Sequence, residues 1–480
     1  MKQFLGFDLG AESGRAMLGT LAGDQLQLEE LHRFPNQPVR LPTGLYWDTL
    51  RLFYEMQQAL EIAQRQRQLR LDGIGVDTWG VDFGLLGRDG ALVDNPRHYR
   101  DARNNGQMER TFAVVPKAEI YAETGLQFMQ FNSLFQWHAM HLAGSPALEV
   151  AHTLLFMPDL FNYFFTGIAR AERSIASTSQ FYNPVRKTFA TELLRKLGLN
   201  PAILPPLVDS GTLLGPLLQA DVPVFAVAGH DTASAVAAVP AQGDASWCYI
   251  SSGTWSLMGV EWHEPVIHET AARFNLTNEI GVEGKVRLLK NIAGLWLWQE
   301  CRRAWISEGT TYSYDEMTAL ASAAPPFSTL LHPDAFLEPG NMPARIAAHC
   351  RSTGHPVPQT HGEFCRAILE GLALRYRQVF ETLQLVLNRK LTRIHIVGGG
   401  SRNHLLNQFV ADACGVPVYA GPSEATVIGN ILVQAMGARL LRNLEDIRHV
   451  VRRSFPVTLF EPQSQASWDA AYERFVRIQL

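Results

Sequence analysis

No stretch of the 480-residue chain holds ~18 uncharged apolar residues in a row, so no membrane-spanning helix is expected. Cysteine is scarce: Cys248, Cys301, Cys350, Cys365 and Cys414 are scattered, with no C-x-x-C pair and no zinc spacing. They read as structural. Cys350 and Cys365 lie close enough in sequence to pair, but a reducing cytosol favours free thiols. Neither sign of charge dominates, with 42 Lys and Arg against 46 Asp and Glu, a net charge of -4. Such a balance offers no field for nucleic acid or an acidic membrane surface, while a small, locally charged ligand stays open. Low-complexity segments and charge blocks are absent. The opening "MKQFLGFDLG" is too short and wrongly flanked for a signal peptide, and a cytoplasmic enzyme is the expectation.

What is present fits a globular protein: 46% of residues are hydrophobic, and the length predicts two domains. "KQFLGFDLGAESGRAMLGTLAGDQLQLEELHRF" reads as strands joined by glycine-containing turns, followed by a helical period in "LRLFYEMQQALEIAQRQRQL". "SLFQWHAMHLAG" and "PALEVAHTLLFMPDLFNYFFTG" read as helices closing on glycine. "NPAILPPLVDSGTLLGPLLQADVP" reads as a loop-dominated passage. "WCYISSGTWSLMGVEW" repeats the strand–polar turn–strand layout of "QFLGFDLGAESGRAMLGT" about half a chain later, the outline of a structural duplication. A boundary near 241–245 would divide the chain into 1–241 and 242–480.

Three turns could hold phosphate, because glycine and small hydroxyl residues let backbone N–H groups approach an anion. "DLGAESGR" (Asp8 to Arg15) ends a strand on a carboxylate, which a phosphate repels unless a divalent cation lies between them. Asp8 is therefore read as an outer anchor for Mg²⁺ and its waters, with an ordinary hairpin turn as the alternative. "SSGTWS" offers the Thr254 hydroxyl and backbone amides, and "VGGGS" (Val397 to Ser401) a turn on which a nucleotide could lie. None matches G-x-G-x-x-G or G-x-x-x-x-G-K-[ST], which disfavours a Rossmann site and a Walker loop.

"VPVFAVAGHDTASAVAAV" (222–239) breaks a buried-strand pattern at Gly229 and delivers His230 and Asp231 to an apolar helix. Asp231 either caps that helix, with Thr232 as rival cap, or takes a proton from an acceptor hydroxyl attacking a γ-phosphate.

With these residues in view the chain resembles the FGGY family of carbohydrate kinases, in the actin and hexokinase superfamily. The carrying motifs are "DLGAESGR", "GVDTWGVDFGLL", "YRDARN", "GHDTASAV", "SSGTWSLMG", "LLKNIAGLWLWQE", "HIVGGGSRNHLLNQFVADACG" and "AGPSEATVIGN", in family order from residue 8 to residue 430. The resemblance implies an α/β protein of two ribonuclease-H-like domains. Each would be a five-stranded mixed sheet flanked by helices, with the active site in a cleft between them. It implies an ATP phosphate loop at Ala11, Glu12, Ser13, Gly14 and Arg15, with Asp8 near Mg²⁺, and further ATP contacts at Thr254, Gln299 and Gly399. Sugar contacts would fall at Gly80, His230, Asp231, Thr232 and Asn291, with Asp231 the general base. Within the family the match points to ATP-dependent phosphorylation of L-rhamnulose at O1. A kinase for another ketose or polyol, such as L-fuculose or xylulose, and a non-catalytic ATP-dependent binding protein are the alternatives.

Glu12 puts a second carboxylate into the phosphate loop, pointing away from phosphate or holding Mg²⁺ water. Some family members carry a cysteine pair near the positions of Cys350 and Cys365. Trp79 reads as core packing, Asp82 as a sugar contact or a turn residue, and Arg100–Asp101 as a surface ion pair, with orienting the sugar as the alternative. A small sugar is the only partner expected, with no nucleic acid or membrane, and a monomer is favoured.

Overall fold

The computed structural model describes residues 1–243, 246–337 and 340–478. Two of the residues in the expected dividing stretch, Asp244 and Ala245, lie outside the described residues. The chain packs into two compact units, each assembled from separate segments. One comprises Met1–Pro240, Glu261–Leu288 and Ala425–Phe455; the other comprises Ala241–Val260, Leu289–Glu424 and Pro456–Leu480.

The first unit is built on a six-stranded sheet: β1 (Lys2–Leu9), β2 (Ser13–Ala22), β3 (Gln25–Pro35), β4 (Gly73–Thr78), β5 (Thr212–Leu217) and β6 (Ala220–Ala226). Its order is β5-β6-β4-β1-β2-β3. β1 to β3 form an antiparallel meander, whereas β4 runs parallel to both β1 and β6. The central strands β1 and β4 are buried almost throughout, as strands covered on both faces must be. The apolar helix Ala425–Gly437 lies on them. A Cβ at Gly19 would stand 2.6 Å from Ile431 Cγ2, so the close approach requires glycine there.

The second large sheet comprises β7 (Trp247–Ser252), β8 (Ser256–Trp262), β9 (Thr277–Ile280), β10 (Val286–Ile292), β11 (Arg393–Val397), β12 (Val418–Ala420) and β13 (Thr458–Phe460). Its order is β9-β10-β8-β7-β11-β12-β13. The hairpin β7–β8 is antiparallel, and β11 lies parallel to both β7 and β12. The succession β10-β8-β7-β11-β12 repeats β3-β2-β1-β4-β6, so the duplicated layout read from two hairpins extends to a whole five-strand core.

Edge strands extend those cores to six and seven where five were expected. β5 comes from the passage read as loop: Pro216 and two register shifts disrupt its alternation, which an edge strand tolerates because one side needs no partner. "HTLLF", read as helical, pairs instead as Thr153–Phe156 with Phe83–Leu86 before the helix Met157–Thr166. All five cysteines are free, and Cys350 and Cys365 are both buried.

Candidate active site

In the first unit the break at Gly229 is fixed from several sides. Thr78 N donates to Gly229 O (2.9 Å), Gly229 N to Glu172 Oε2 (3.0 Å) and His230 N to Ser174 Oγ (3.2 Å). Glu172 is buried and also accepts from Ser174 N, Ile175 N and the hydroxyls of Ser174 and Ser210. A Cβ at residue 229 would lie 3.0 Å from Pro158, so the turn fits glycine closely. The helix Asp231–Ala237 starts here. Its N-cap position is His230, whose side chain makes no capping bond, so Asp231 is not the helix cap.

The Asp231 carboxylate is bound unevenly. Oδ1 accepts from Thr232 N (2.5 Å) and Thr232 Oγ1 (3.2 Å) and lies 3.4 Å from His230 Nε2. The side chain keeps 33% of its exposure, and among the described residues no hydrogen bond is directed to Oδ2. Burial of the group, reinforced by Asp8 and opposed by His230, raises its pKa above the ordinary value. One oxygen is held and the other can take a proton.

Asp8 closes β1 and faces Arg15 across the hairpin and Asp77 on β4. Arg15 Nη2 donates to Asp8 Oδ2 at 2.5 Å. Asp77 is fully buried. Burial first and the Asp8 charge second push its carboxyl well above the usual range, against a 2.6 Å hydrogen bond from Asn430 Nδ2. The tight turn between β1 and β2 is braced by Asn36, which donates from Nδ2 to Gly10 O and from its backbone to Glu12 O. Ala11 and Ser13 are half-buried, Glu12 is exposed, and Gly14 is packed under Phe34.

Gly80 opens a sharper feature. Asp82 N donates to Gly80 O (2.9 Å) and Val81 has φ +68°, the geometry of a γ-turn that a β-branched residue adopts only under strain. Thr178 Oγ1 accepts from Val81 N, and Ser133 Oγ donates to Val81 O. Asp82, fully buried, accepts from Trp47 Nε1 (2.6 Å), Trp79 Nε1 (3.0 Å), Tyr99 N (3.2 Å) and Gln136 Nε2 (2.7 Å). Burial pushes its carboxyl up to about 6 despite those donors. Three of these donors meet Oδ2 and one meets Oδ1, so Asp82 holds the turn from within the core. Trp79 is core, tilted against Trp47. Asp101 is buried, not part of a surface pair: it accepts from Leu45 N and Arg103 N, with Arg97 at 3.9 Å, while Arg100 lies over Tyr99.

In the second unit, Thr254 sits in the turn between β7 and β8. Its carbonyl accepts from Trp296 N (3.0 Å) and that of Gly253 from Leu295 N (3.0 Å), which ties the turn to the helix Trp296–Ser307. Gln299 lies in the first turn of that helix, its Oε1 buried and without a hydrogen-bond partner among the described residues. Asn291 is half-buried near the end of β10. Gly398 and Gly400 press against Ser252, whereas a Cβ at Gly399 would meet nothing within 4 Å. Open space over Gly399 suits a flat ring laid on the backbone. Each unit thus gathers its own share: Asp8, the 11–15 turn, Gly80 and 230–232 in the first, and Thr254, Asn291, Gln299 and Gly399 in the second.

Residues not singled out from the sequence are Asp77, Glu172, Glu279 and Arg287. The last two meet His230: Glu279 Oε2 lies 3.1 Å from His230 Nδ1 and 3.0 Å from Arg287 Nη2. Burial works against the Glu279 charge, but Arg287 and His230 outweigh it and hold the carboxyl below its ordinary range. The available signal was a lone charge inside an apolar strand, in "GIGVDT", "TNEI" and "VRLL".

Family models for the FGGY carbohydrate kinases match nearly the whole chain, the N-terminal domain over residues 3–237 and the C-terminal domain over 248–438. A rhamnulokinase of Bacteroides thetaiotaomicron is 46% identical over 99% of both chains. One of Enterococcus faecalis is 40% identical over 96% of this chain and 94% of its own. Among solved structures, a xylulose kinase of Lactobacillus acidophilus shares the fold with a TM-score of 0.81 at 14% identity, covering 99% of this chain and 97% of its own. Plasmodium falciparum glycerol kinase with ADP does so with a TM-score of 0.78 at 15% identity, covering 100% and 99%. Matched by both domain models and by full-length relatives, the chain belongs to the FGGY family of carbohydrate kinases.

Proposed function

We propose that the protein phosphorylates L-rhamnulose at O1 with ATP, giving L-rhamnulose 1-phosphate and ADP. The name rhamnulokinase carried by relatives 46% and 40% identical over nearly their full lengths supports the sugar. The observation that carries the chemistry is the one-sided Asp231 carboxylate. With Oδ1 held, Oδ2 accepts the proton of the acceptor hydroxyl as its oxygen attacks the γ-phosphorus in line, and ADP leaves. His230, Thr232 and Gly80 would orient the sugar from residues 1–241, and Asn291 from residues 242–480. Ala11–Arg15 and Thr254 would hold the phosphates, and Gln299 and Gly399 the adenosine.

The residues present fit Mg²⁺. Asp8, Asp77 and Asp231 interact as like charges, and Arg15 is the cation bound to Asp8. Among the described residues no group of three His, Cys, Asp or Glu could hold an ion directly, so these carboxylates would reach the cation through its waters, with phosphate oxygens as its main ligands. Asp8 would anchor those waters, and the ion would neutralise charge on the transferring phosphoryl group. Glu12 is exposed on the turn and would point away from the phosphates.

The reading is tested by ADP release with Mg-ATP against L-rhamnulose, L-fuculose, D-xylulose, L-ribulose and glycerol. The highest kcat/KM is expected for L-rhamnulose. A higher value for another sugar would overturn the substrate assignment, and ATP binding without turnover of any sugar would overturn the kinase reading.

A further inference from the structure

We propose that Glu172 is a positioning residue for the reacting centre: it clamps the backbone of Gly229 and His230 and thereby sets where the Asp231 carboxylate stands. The proposal rests on the reading of Asp231 as the base.

The bonds that Asp231 Oδ1 accepts both come from Thr232, the next residue, and so orient the carboxylate within its own turn of chain. Its position in the first unit is inherited from the main chain just before it. There, Ala228 O accepts from Ser234 Oγ (2.7 Å) and Gly229 O from Thr78 N (2.9 Å). Gly229 N donates to Glu172 Oε2 (3.0 Å) and His230 N to Ser174 Oγ (3.2 Å). The Ser174 hydroxyl in turn donates to Glu172 Oε2. The N–H groups of the two residues ahead of Asp231 therefore end on one carboxylate oxygen, one directly and one through a hydroxyl.

The choice of glutamate separates this role from helix capping. Glu172 stands at the N-cap of the short helix Arg173–Ala176 and accepts from Ser174 N (2.9 Å) and Ile175 N (3.2 Å). Capping favours the shorter Asp, Asn, Ser and Thr. The extra methylene of glutamate carries the carboxylate past the cap to Gly229, 57 residues along the chain. All of these partners donate, as does Ser210 Oγ to Oε1 (2.7 Å), which suits an ionised group. Asp159 Oδ1 accepts from Glu172 N (3.1 Å); burial, and then the Glu172 charge, hold the Asp159 carboxyl well above the usual range. The pair thus carries one charge, on Glu172. The strand Ala171–Glu172 is itself held parallel to Leu207–Val208, and Glu172 is 1% exposed. A carboxylate buried this deeply costs desolvation that an apolar residue would avoid, and what it gains here is a fixed turn ahead of Asp231.

The test uses the full-length protein. Glu172→Asp keeps a carboxylate able to cap Ser174 N and Ile175 N but withdraws it by one methylene from Gly229 N. It should keep the wild-type KM for ATP and lose on the order of 10²-fold in kcat with the sugar, as misplacement by about an ångström does. Glu172→Gln keeps the reach, because its carbonyl can accept the bonds of Oε2 while its amide donates to Ser210 Oγ. It should turn over about tenfold faster than Glu172→Asp. A folded Glu172→Asp with kcat within about threefold of wild type would overturn the proposal. So would a Glu172→Gln no faster than Glu172→Asp, since charge and not reach would then be the cause. If Glu172→Asp fails to fold, Ser174→Ala takes its place: it withdraws the acceptor of His230 N and leaves Glu172 on Gly229 N. Its kcat should fall about tenfold, and a fall of less than about threefold would overturn the proposal.

Amide hydrogen exchange supplies a readout without turnover, measured on peptic fragments spanning Gly229 and His230. In wild type these N–H groups should exchange as slowly as those of β1, and in Glu172→Asp about tenfold or more faster while β1 is unchanged. Fast exchange at Gly229 and His230 in wild type would overturn the proposal even if the kinase reading stands. Absence of sugar turnover in wild type would overturn the kinase reading, while the exchange rates still report on the clamp.

Discussion

Replacing Asp231 by Asn separates chemistry from folding. The Asn side-chain carbonyl can keep the bonds that Oδ1 accepts from Thr232 N and Oγ1, so the local backbone loses nothing. The amide nitrogen then occupies the place of Oδ2, where a donor stands instead of an acceptor, and the attacking hydroxyl has nowhere to send its proton. Loss of a positioned general base costs 10²–10⁴-fold, about 3–5 kcal/mol in the barrier. Stability should move the other way. Burial raises the pKa of this carboxyl, so the folded state pays for its charge above that pKa, and a neutral amide removes the cost. The expected result is kcat reduced about 10³-fold, KM for ATP unchanged, and a Tm at pH 8 equal to or above that of wild type. Coupled ADP release and thermal unfolding measure both. Turnover within tenfold of wild type, in a variant shown to bind the sugar, would refute the base assignment.

Asp82 should act on stability and not on transfer. Its pKa rises from an ordinary value near 4 to about 6, so between these pH values the folded state binds a proton that the unfolded chain has released. Its contribution to stability therefore falls by about 3 kcal/mol as pH rises through that window and is constant above it. Comparing unfolding free energies of wild type and Asp82→Asn at pH 4 and 7 should show this difference; a pH-independent gap would contradict it. Arg15→Met leaves Asp8 without its cation beside Asp77, and KM for Mg-ATP should rise roughly tenfold; an unchanged value would remove Arg15 from the phosphate site. Gly429→Ala puts a Cβ 1.8 Å from Ser234 O, between the helices Ala425–Gly437 and Asp231–Ala237. It should cost about 3 kcal/mol or more in unfolding free energy, and a Tm within 2 °C of wild type would show that the helices separate easily, on the order of what ~0.5 kcal/mol shifts in a domain of this size.

The sequence by itself determined the family and the paired hairpins. Alternating strands around "DLGAESGR" and "SSGTWS" have local causes, namely pleat period, glycine turns and the burial of both faces. Asp8 and His230–Asp231 were legible as ionisable residues where a strand pattern breaks at glycine, whereas Gly80, Thr232 and Gly399 were singled out through the family resemblance. Other decisions belong to tertiary structure. Whether Asp231 capped its helix depended on backbone angles that put His230 at the cap. Whether Asp82 met sugar or tryptophan depended on Trp47, thirty-five residues away, and on Gln136. The strand at Thr212–Leu217 exists because β6 offers it an edge. Glu279 and Arg287 carry no motif, and only the fold brings them against the imidazole of His230, some fifty residues earlier in the chain. Local pattern specifies which backbone forms; only the packed sheet decides which buried charge meets which partner, because that energy depends on three-dimensional distance and desolvation, to which spacing along the chain is blind.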